Sequence, residues 1–139
     1  MRYQSGLPVN AASGKDNSLT GVGADRPNVV STTAYTGNAH GLVYQYLNPG
    51  LFAQNAIGTF GDAGHNNLRA PGLFNIDMAL SRSIRLTERL TLMPRAEAFN
   101  MLNHPNFFGP TANISSATFG RILGSRDPRI LQASLKFSF

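Results

Sequence analysis

The sequence contains no cysteine and no tryptophan among its 139 residues. The absence of cysteine excludes a disulfide framework and a cysteine-based zinc site, and it removes thiols as a guide to redox compartment. Charged residues make up only 14% of the chain, whereas soluble domains usually contain about 25%. Glycine (14 residues) and proline (8 residues) are frequent instead, which indicates an extended, turn-rich chain.

Long apolar runs are also missing. No segment approaches the ~20 consecutive apolar residues of a membrane-spanning helix, so insertion into a membrane would have to use β-strands. Residues 1–6 lack the apolar region of a signal peptide. If the protein is exported, we therefore expect its precursor to extend beyond this chain.

The net charge of +5 raises the question of a nucleic-acid partner. Most of the excess lies in the second half of the chain, in two groups beside predicted turns or strand ends. These groups are Arg82, Arg85 and Arg89, and Arg121, Arg126 and Arg129. Neither is interleaved with aromatic residues in the way that single-strand binders use. We therefore expect no nucleic-acid partner.

Residues 5–71 are dominated by turn formers, with Pro- or Gly-containing turns spaced along the whole stretch. Residues 42–47 are the main exception and predict either a short strand or a helical turn. Loops of more than about 12–15 residues are usually functional or disordered in compact domains. The external loops of a barrel are a natural place for such a segment.

Three later segments, 73–85, 90–102 and 129–139, alternate between apolar and polar residues. Apolar residues occupy even positions in the first two segments and odd positions in the third. This period of two predicts β-strands with one apolar and one polar face. Pro94 removes a ladder donor from the second segment, and residues 95–99 are also good helix formers, but we favour a strand there.

The connection 85–89 joins the first two predicted strands. Directly paired residues of antiparallel strands share a face, so two strands that are apolar at even positions need an odd number of loop residues. Five residues satisfy this parity. Asp77, Arg95 and Glu97 then fall on the polar face as a charge cluster, whereas Arg82 interrupts the apolar face near a strand end, where it can snorkel to an interface.

The order of strands and loops is typical of a transmembrane β-barrel, in which short periplasmic turns alternate with long extracellular loops. We predict an all-β fold that contains the last three to four antiparallel strands of such a barrel. Residues 1–71 are expected to hold a strand end and a long extracellular loop, and residues 72–139 the terminal strands. Residues 85–89 form the periplasmic turn and 103–128 a second extracellular loop. Because the smallest single-chain barrels have about eight strands, this chain is not a closed barrel by itself.

Six segments, which together extend over most of the chain, resemble one known family. They are Arg26-Pro27-Asn28, Tyr46-Leu47-Asn48-Pro49, Gly58 to Gly72, Asn75 to Leu80, Arg95 to Phe107 and Asp127 to Gln132. The combination resembles TonB-dependent, Oar-like outer-membrane receptors. His65, where the family often has Arg, and Met93-Pro94, where it has strand residues other than proline, depart from the pattern.

The resemblance implies a barrel of about 22 strands with an N-terminal plug, which takes up ligands with energy relayed by TonB. It implies that this chain is the C-terminal barrel segment and is not competent for transport alone. The implied partners are outer-membrane lipid, the remainder of the barrel and its plug, and TonB through N-terminal parts only. The alternative from another class is a small secreted or cell-surface β-sheet binding domain, similar to an adhesin.

The end of the chain resembles the signal that the barrel-assembly machinery reads. Its residues are Gln132, Ser134, Phe137 and Phe139, with Ser134 in place of the usual glycine. A lipid-facing or interfacial aromatic role for the two phenylalanines is compatible with this signal.

Other chemistry has weaker support. His40, His65 and His104 lack the spacing of metal ligands, so we interpret them as loop residues and expect no metal or cofactor. We interpret Asp77, Arg95 and Glu97 as a lumen-facing ion-pair cluster and expect no enzyme activity. Arg121, Arg126 and Arg129 have two open interpretations: contacts to lipopolysaccharide phosphates, or ordinary loop charge.

Overall fold

The structure, a computed structural model, describes residues 1–36 and 45–139, so half of the ambiguous segment 42–47 lies outside it. All regular elements in these residues are β-strands, and every strand pair is antiparallel. The strands are β1 Arg2–Gln4, β2 Pro8–Val9, β3 Asn28–Val29, β4 Phe52–Ala53, β5 Leu68–Arg69, β6 Leu73–Asn75, β7 Met78–Ser81, β8 Ile84–Arg85, β9 Thr91–Phe99 and β10 Ile130–Ser138. In the described residues, no helix has the length and apolarity required to cross a membrane.

The described chain divides into two compact units. The first, which we call the wall unit, contains residues 1–4, 73–106 and 126–139. The second, the loop unit, contains residues 5–72 and 107–125. The sequence predicted one division of the chain, at residue 72. Each of the two observed units instead combines segments that are far apart in the sequence.

The wall unit is a sheet built around β9. Strand β10 pairs along one side of β9, and β7 and β8 pair along the other. Strands β6, β7 and β8 follow one another as a single interrupted strand, and β1 pairs with its first part. Four antiparallel chain segments therefore lie in sequence order, and these described strands do not close into a barrel.

The register puts the apolar residues of three strands on one face. Ala96 of β9 pairs with Leu80 on one side and Ala133 on the other. Even positions of β7 and β9 thus share a face with odd positions of β10. The residues on this apolar face include Met78, Leu80, Ile84, Leu92, Ala96, Ala98, Leu131, Ala133, Leu135 and Phe137.

The apolar face is not covered by any second layer within the wall unit. Leu80 is 72% exposed and Leu131 is 70% exposed, and every residue of β10 is exposed. Both β9 and β10 have nine residues, the length that a tilted strand needs to cross a bilayer core. These features are expected of one layer of a transmembrane barrel wall.

The predicted continuous strand 73–85 is wrong in one respect, because the structure breaks it into β6, β7 and β8. The second break has a cause in the neighbouring strand: the Arg82 amide donates to the Pro94 carbonyl at 3.1 Å, but Pro94 has no N–H to donate in return. The ladder is therefore incomplete between β7 and β8.

Other boundaries also differ from the sequence pattern, and β10 is one residue shorter at each end than predicted. The hairpin loop is residues 86–90, one position later than predicted, because Arg85 pairs with Thr91. Its odd length and the shared face of the even positions are as expected. Strand β9 ends at Phe99 rather than at residue 102, because Asn100 has a φ of 48°, outside the β region.

The loop unit has a core of its own. Its buried apolar residues are Ala11, Leu47, Leu51, Phe52, Ala63, Leu68 and Phe119. The Phe52 and Phe119 rings meet edge to face with centroids 6.2 Å apart. Residues for which the sequence predicted mostly loops therefore pack around a hydrophobic cluster, supported by the short ladders β2–β5 and β3–β4.

Candidate functional site

The polar face of the wall carries one ion pair. The Nη2 atom of Arg95 lies 2.5 Å from Oε1 of Glu97, and Nε donates to the same oxygen at 3.0 Å. The Arg95 side chain is 51% exposed and that of Glu97 19%. A pair this exposed contributes roughly 0.2–1 kcal/mol to stability. Its neighbours across the strands are small or polar, since Arg95 pairs with Ser81 and Ser134.

Asp77 does not belong to this ion pair in the structure. Glu97 is opposite Ala79, so the register places Asp77 beyond the pair, at the end of β9. There its Oδ1 accepts hydrogen bonds from the Asn100 amide at 2.9 Å and from the Asn75 side chain at 2.8 Å. The structure thus brings two members of the predicted cluster together and uses the third to terminate a strand.

Asn106 also has an extensive polar role near that end of the wall. Its side chain accepts from the Phe74 amide at 2.8 Å and donates to the Phe74 carbonyl at 2.9 Å. An amide side chain therefore pairs with β6 as a neighbouring strand would. Because Phe74 uses both backbone groups in this way, β1 must pair with β6 along the opposite edge.

Asn100 and Asn103 complete what we call the asparagine junction, defined as Asn100, Asn103 and Asn106. Both Asn100 and Asn103 have positive φ values, which asparagine tolerates better than most residues. The Asn100 side chain donates to the carbonyls of His104 and Asp127 and accepts from the His104 amide. The Asn103 side chain accepts from the Arg129 amide at 3.0 Å. The junction thereby connects the end of β9 to the start of β10.

Sequence reasoning used these asparagines only as part of a family resemblance and missed their role. The available signal was three asparagines within seven residues, with a proline directly before the last. That pattern indicates tight turns and side-chain-to-backbone bonding. It does not reveal a partner 32 residues away along the chain, as Phe74 is from Asn106.

The residues proposed as an assembly signal divide between the two faces of β10. Gln132 and Ser134 lie on the polar face, where they pair with Glu97 and Arg95, whereas Phe137 lies on the apolar face opposite Leu92. Phe139 follows the end of the strand and is 96% exposed. Their role in assembly stays a prediction.

The three arginines proposed to contact lipopolysaccharide fall in different units. Arg121 belongs to the loop unit, and Arg126 and Arg129 belong to the wall unit. The interpretation of the three histidines as loop residues stays a prediction, and His40 lies outside the described residues. Among residues 1–36 and 45–139, no group of three His, Cys, Asp or Glu side chains could hold a metal ion.

Two of the segments that carry the resemblance contact each other in the loop unit. The Val29 amide donates to Asp62 Oδ1 at 2.7 Å, and the Ala63 amide donates to the Pro27 carbonyl at 3.0 Å. Gly61 is required by this approach, because a Cβ atom there would lie 1.9 Å from the Arg26 carbonyl oxygen. The Arg-Pro-Asn and Gly-Asp-Ala sequences therefore have a structural explanation.

Two ionisable groups of the loop unit have shifted pKa values. Hydrogen bonds from the Ser18 hydroxyl and amide lower the pKa of Asp25, because they stabilise its carboxylate. Burial, reinforced by the neighbouring Tyr35, raises the pKa of Tyr46. Asp25 and Asp16 together organise residues 16–25, since Asp16 accepts from the amides of Thr20 and Gly21.

The antiparallel wall, with one exposed apolar face and one polar face that carries an ion pair, defines a class: the transmembrane β-barrel proteins. The comparison with protein families agrees, since residues 1–132 match the model described as an outer membrane beta barrel domain. The chain belongs to this family, and its location is the cell outer membrane. The match does not favour the adhesin-like alternative. Comparisons with curated proteins and with solved structures gave no match.

Proposed function

We propose that this chain is the C-terminal barrel segment of a TonB-dependent receptor that takes up ligands across the outer membrane. In this role it supplies terminal wall strands and outer loops and does not transport alone. The proposal rests on the six segments that resemble Oar-like receptors. Their positions support it, because they supply part of the core of the loop unit, the asparagine junction and parts of the wall strands.

The packed core of the loop unit adds support to the uptake proposal. A receptor that recognises ligands from outside needs loops that hold a defined shape, and ligand-contacting residues are commonly placed on loops supported by a rigid scaffold. Leu47 and Leu68 are fully buried, and side chains such as Asn55 and Ser13 are also buried there. The loop unit is therefore suited to hold part of a ligand site, although the ligand itself depends on the rest of the receptor.

The remaining roles follow from the same proposal. The polar face, with Arg95 and Glu97, faces the barrel lumen, where charges are less costly than in lipid. Gln132, Ser134, Phe137 and Phe139 are recognised by the barrel-assembly machinery. Arg121, Arg126 and Arg129 contact lipopolysaccharide phosphates on the outer side. The chain binds no nucleic acid and catalyses no reaction.

The test is binding of TonB. The outer-membrane protein that contains this chain is extracted in mild detergent from its own membrane and titrated with the purified periplasmic domain of TonB. We expect saturable binding, and a porin from the same membrane serves as the control without a TonB-dependent role. Failure to bind at every concentration would contradict the receptor proposal and would leave membership of the barrel family unaffected.

A further inference from the structure

Charge is distributed unevenly over the polar face of the wall. In the described strands β7 to β10, the paired residues of this face include three cations and one acid. The paired residues are Ala79, Ser81, Arg85, Thr91, Met93, Arg95, Glu97, Phe99, Ile130, Gln132, Ser134, Lys136 and Ser138. Glu97, the acid, forms an ion pair with Arg95. Arg85 and Lys136 therefore give this face an excess of positive charge.

The two excess cations lie toward the hairpin end of the wall. Arg85 pairs with Thr91 beside the hairpin loop 86–90, and Lys136 pairs with Met93, two residues further along β9. In the described part of the chain, neither side chain has an ion pair or a hydrogen bond. Both residues are exposed, so the wall unit itself does not cover them.

Arg95 adds a third cation beside Lys136. Arg95 pairs with Ser134, which is two residues from Lys136, so Arg95 and Lys136 are diagonal neighbours on adjacent strands. The Cα atoms of such neighbours are about 7–8 Å apart, within the reach of long side chains. Nε and Nη2 of Arg95 both contact Oε1 of Glu97, which leaves the two Nη1 donors for another acceptor. Because Glu97 lies on the side away from the hairpin, positive charge increases toward the hairpin end.

We propose that the hairpin end of this polar face attracts anionic solutes in the barrel lumen, so that the ligand passing this wall carries carboxylate or phosphate groups. Charge complementarity selects the occupant, since Lys and Arg side chains along a pore favour anions over neutral and cationic solutes. The proposal rests on the part of the proposed function that turns the polar face toward the lumen, and not on TonB dependence. Acidic side chains elsewhere in the receptor would neutralise the same cations, and the test separates these two cases.

The test compares an anionic and a neutral probe at the face itself. The whole outer-membrane protein that contains this chain is spin-labelled at a single cysteine in place of Ser134 and reconstituted in phosphatidylcholine vesicles. Collision rates are measured with trivalent chromium oxalate, whose ligands are carboxylates, and with a neutral nickel complex. We expect the ratio of the anionic to the neutral rate to be roughly threefold higher at 0.1 M than at 1 M salt, because salt screens the cations.

Removal of single charges shows which residues cause the enrichment. Lys136→Gln and Arg85→Gln should each lower the ratio at 0.1 M salt, and Lys136→Gln by more, because position 136 is two residues from the label. Arg82→Gln is the matched control. It removes the same charge from the neighbouring part of the wall, but the even position of Arg82 places it on the apolar face. Its ratio should equal that of the labelled protein without a charge substitution.

Three results would overturn the proposal. Equal access of both probes before any charge is removed would mean that acidic groups of the receptor neutralise the cations. An equal fall in Arg82→Gln and Lys136→Gln would mean that the ratio follows net charge and not this face. If the neutral complex does not reach the label, the polar face is not lumenal, and that part of the proposed function fails as well. TonB binding is independent of these readouts, so its failure can be told apart.

Discussion

The Asn106 side chain makes the hydrogen bonds to Phe74 that the backbone of a neighbouring strand ordinarily makes in a barrel wall. It is 4% exposed, and its carboxamide satisfies both backbone groups of Phe74. Its own carbonyl accepts from the Arg126 amide at 2.7 Å. One residue thus connects β6 with the segment that leads into β10, and of these contacts those to Phe74 depend on the side chain.

Replacement of Asn106 by alanine leaves the N–H and C=O of Phe74 without these partners. An unsatisfied buried polar group costs about 1–3 kcal/mol, so we expect the free energy of unfolding to fall by roughly 2–4 kcal/mol. Urea unfolding in detergent micelles measures this change. Asn67→Ala, at an exposed loop position, is the control and should change the midpoint little. Equal stability of Asn106→Ala and the control would contradict the role assigned to the junction.

The sequence was sufficient to pair two of the three charged residues Asp77, Arg95 and Glu97. Arg95 and Glu97 could be paired in advance because residues two apart in a strand share a face. The partner of Asp77 could not, because Asp77 bonds to Asn100 only after β9 ends in a positive-φ residue. Local alternation predicts faces well, but it contains no information on where a long-range turn begins.

At the scale of elements, the alternation predicted the strands of the wall and their shared apolar face. The odd length of the turn is what an antiparallel hairpin of two such strands requires, and the structure confirms the strand over the helix for residues 95–99. The division of the first strand was not predicted. Although Pro94 was recognised as a missing donor, its effect falls on the neighbouring strand at Arg82, and only the register reveals that.

The substitution Pro94→Val restores the missing donor in β9. The new backbone amide at position 94 can then donate to the Arg82 carbonyl, which should join β7 and β8 and raise the free energy of unfolding by about 0.5–1.5 kcal/mol. The measurement is again the urea midpoint, combined with hydrogen exchange of the amides at positions 82 and 94. Met93→Val, one residue away and on the opposite face, adds the same β-branched side chain without adding a donor. Similar shifts in both variants would mean that β propensity, and not the hydrogen bond, is responsible.

The loop unit was the element-scale feature that sequence reasoning described least well. Its buried residues, among them Leu47, Leu68 and Phe119, recur with no period of two or 3.6. Segments rich in glycine and proline therefore resemble irregular loops. They pack because contacts far apart in sequence, such as Asn28 with Asp62, bring the apolar residues together. Such contacts leave no periodic trace in the sequence.

At the scale of the whole molecule, the exposed apolar face is the feature that any account must explain. A soluble sheet would cover residues such as Leu80, Leu131 and Phe137 with a second layer. In the outer membrane, lipid covers that face, and the four chain segments of the wall add to a larger closed sheet whose edges are paired. The family match over residues 1–132 supports the same conclusion from independent information.

The most direct test of this account follows the two faces of β10 in a bilayer. The chain has no cysteine, so a single cysteine can be introduced in turn at each position from 131 to 137 and coupled to a spin label. Collision rates with oxygen and with a water-soluble nickel complex then report lipid or water around each label. We predict lipid contact at Leu131, Ala133, Leu135 and Phe137, and water contact at Gln132, Ser134 and Lys136. Equal accessibility along the strand, or the opposite alternation, would contradict the account.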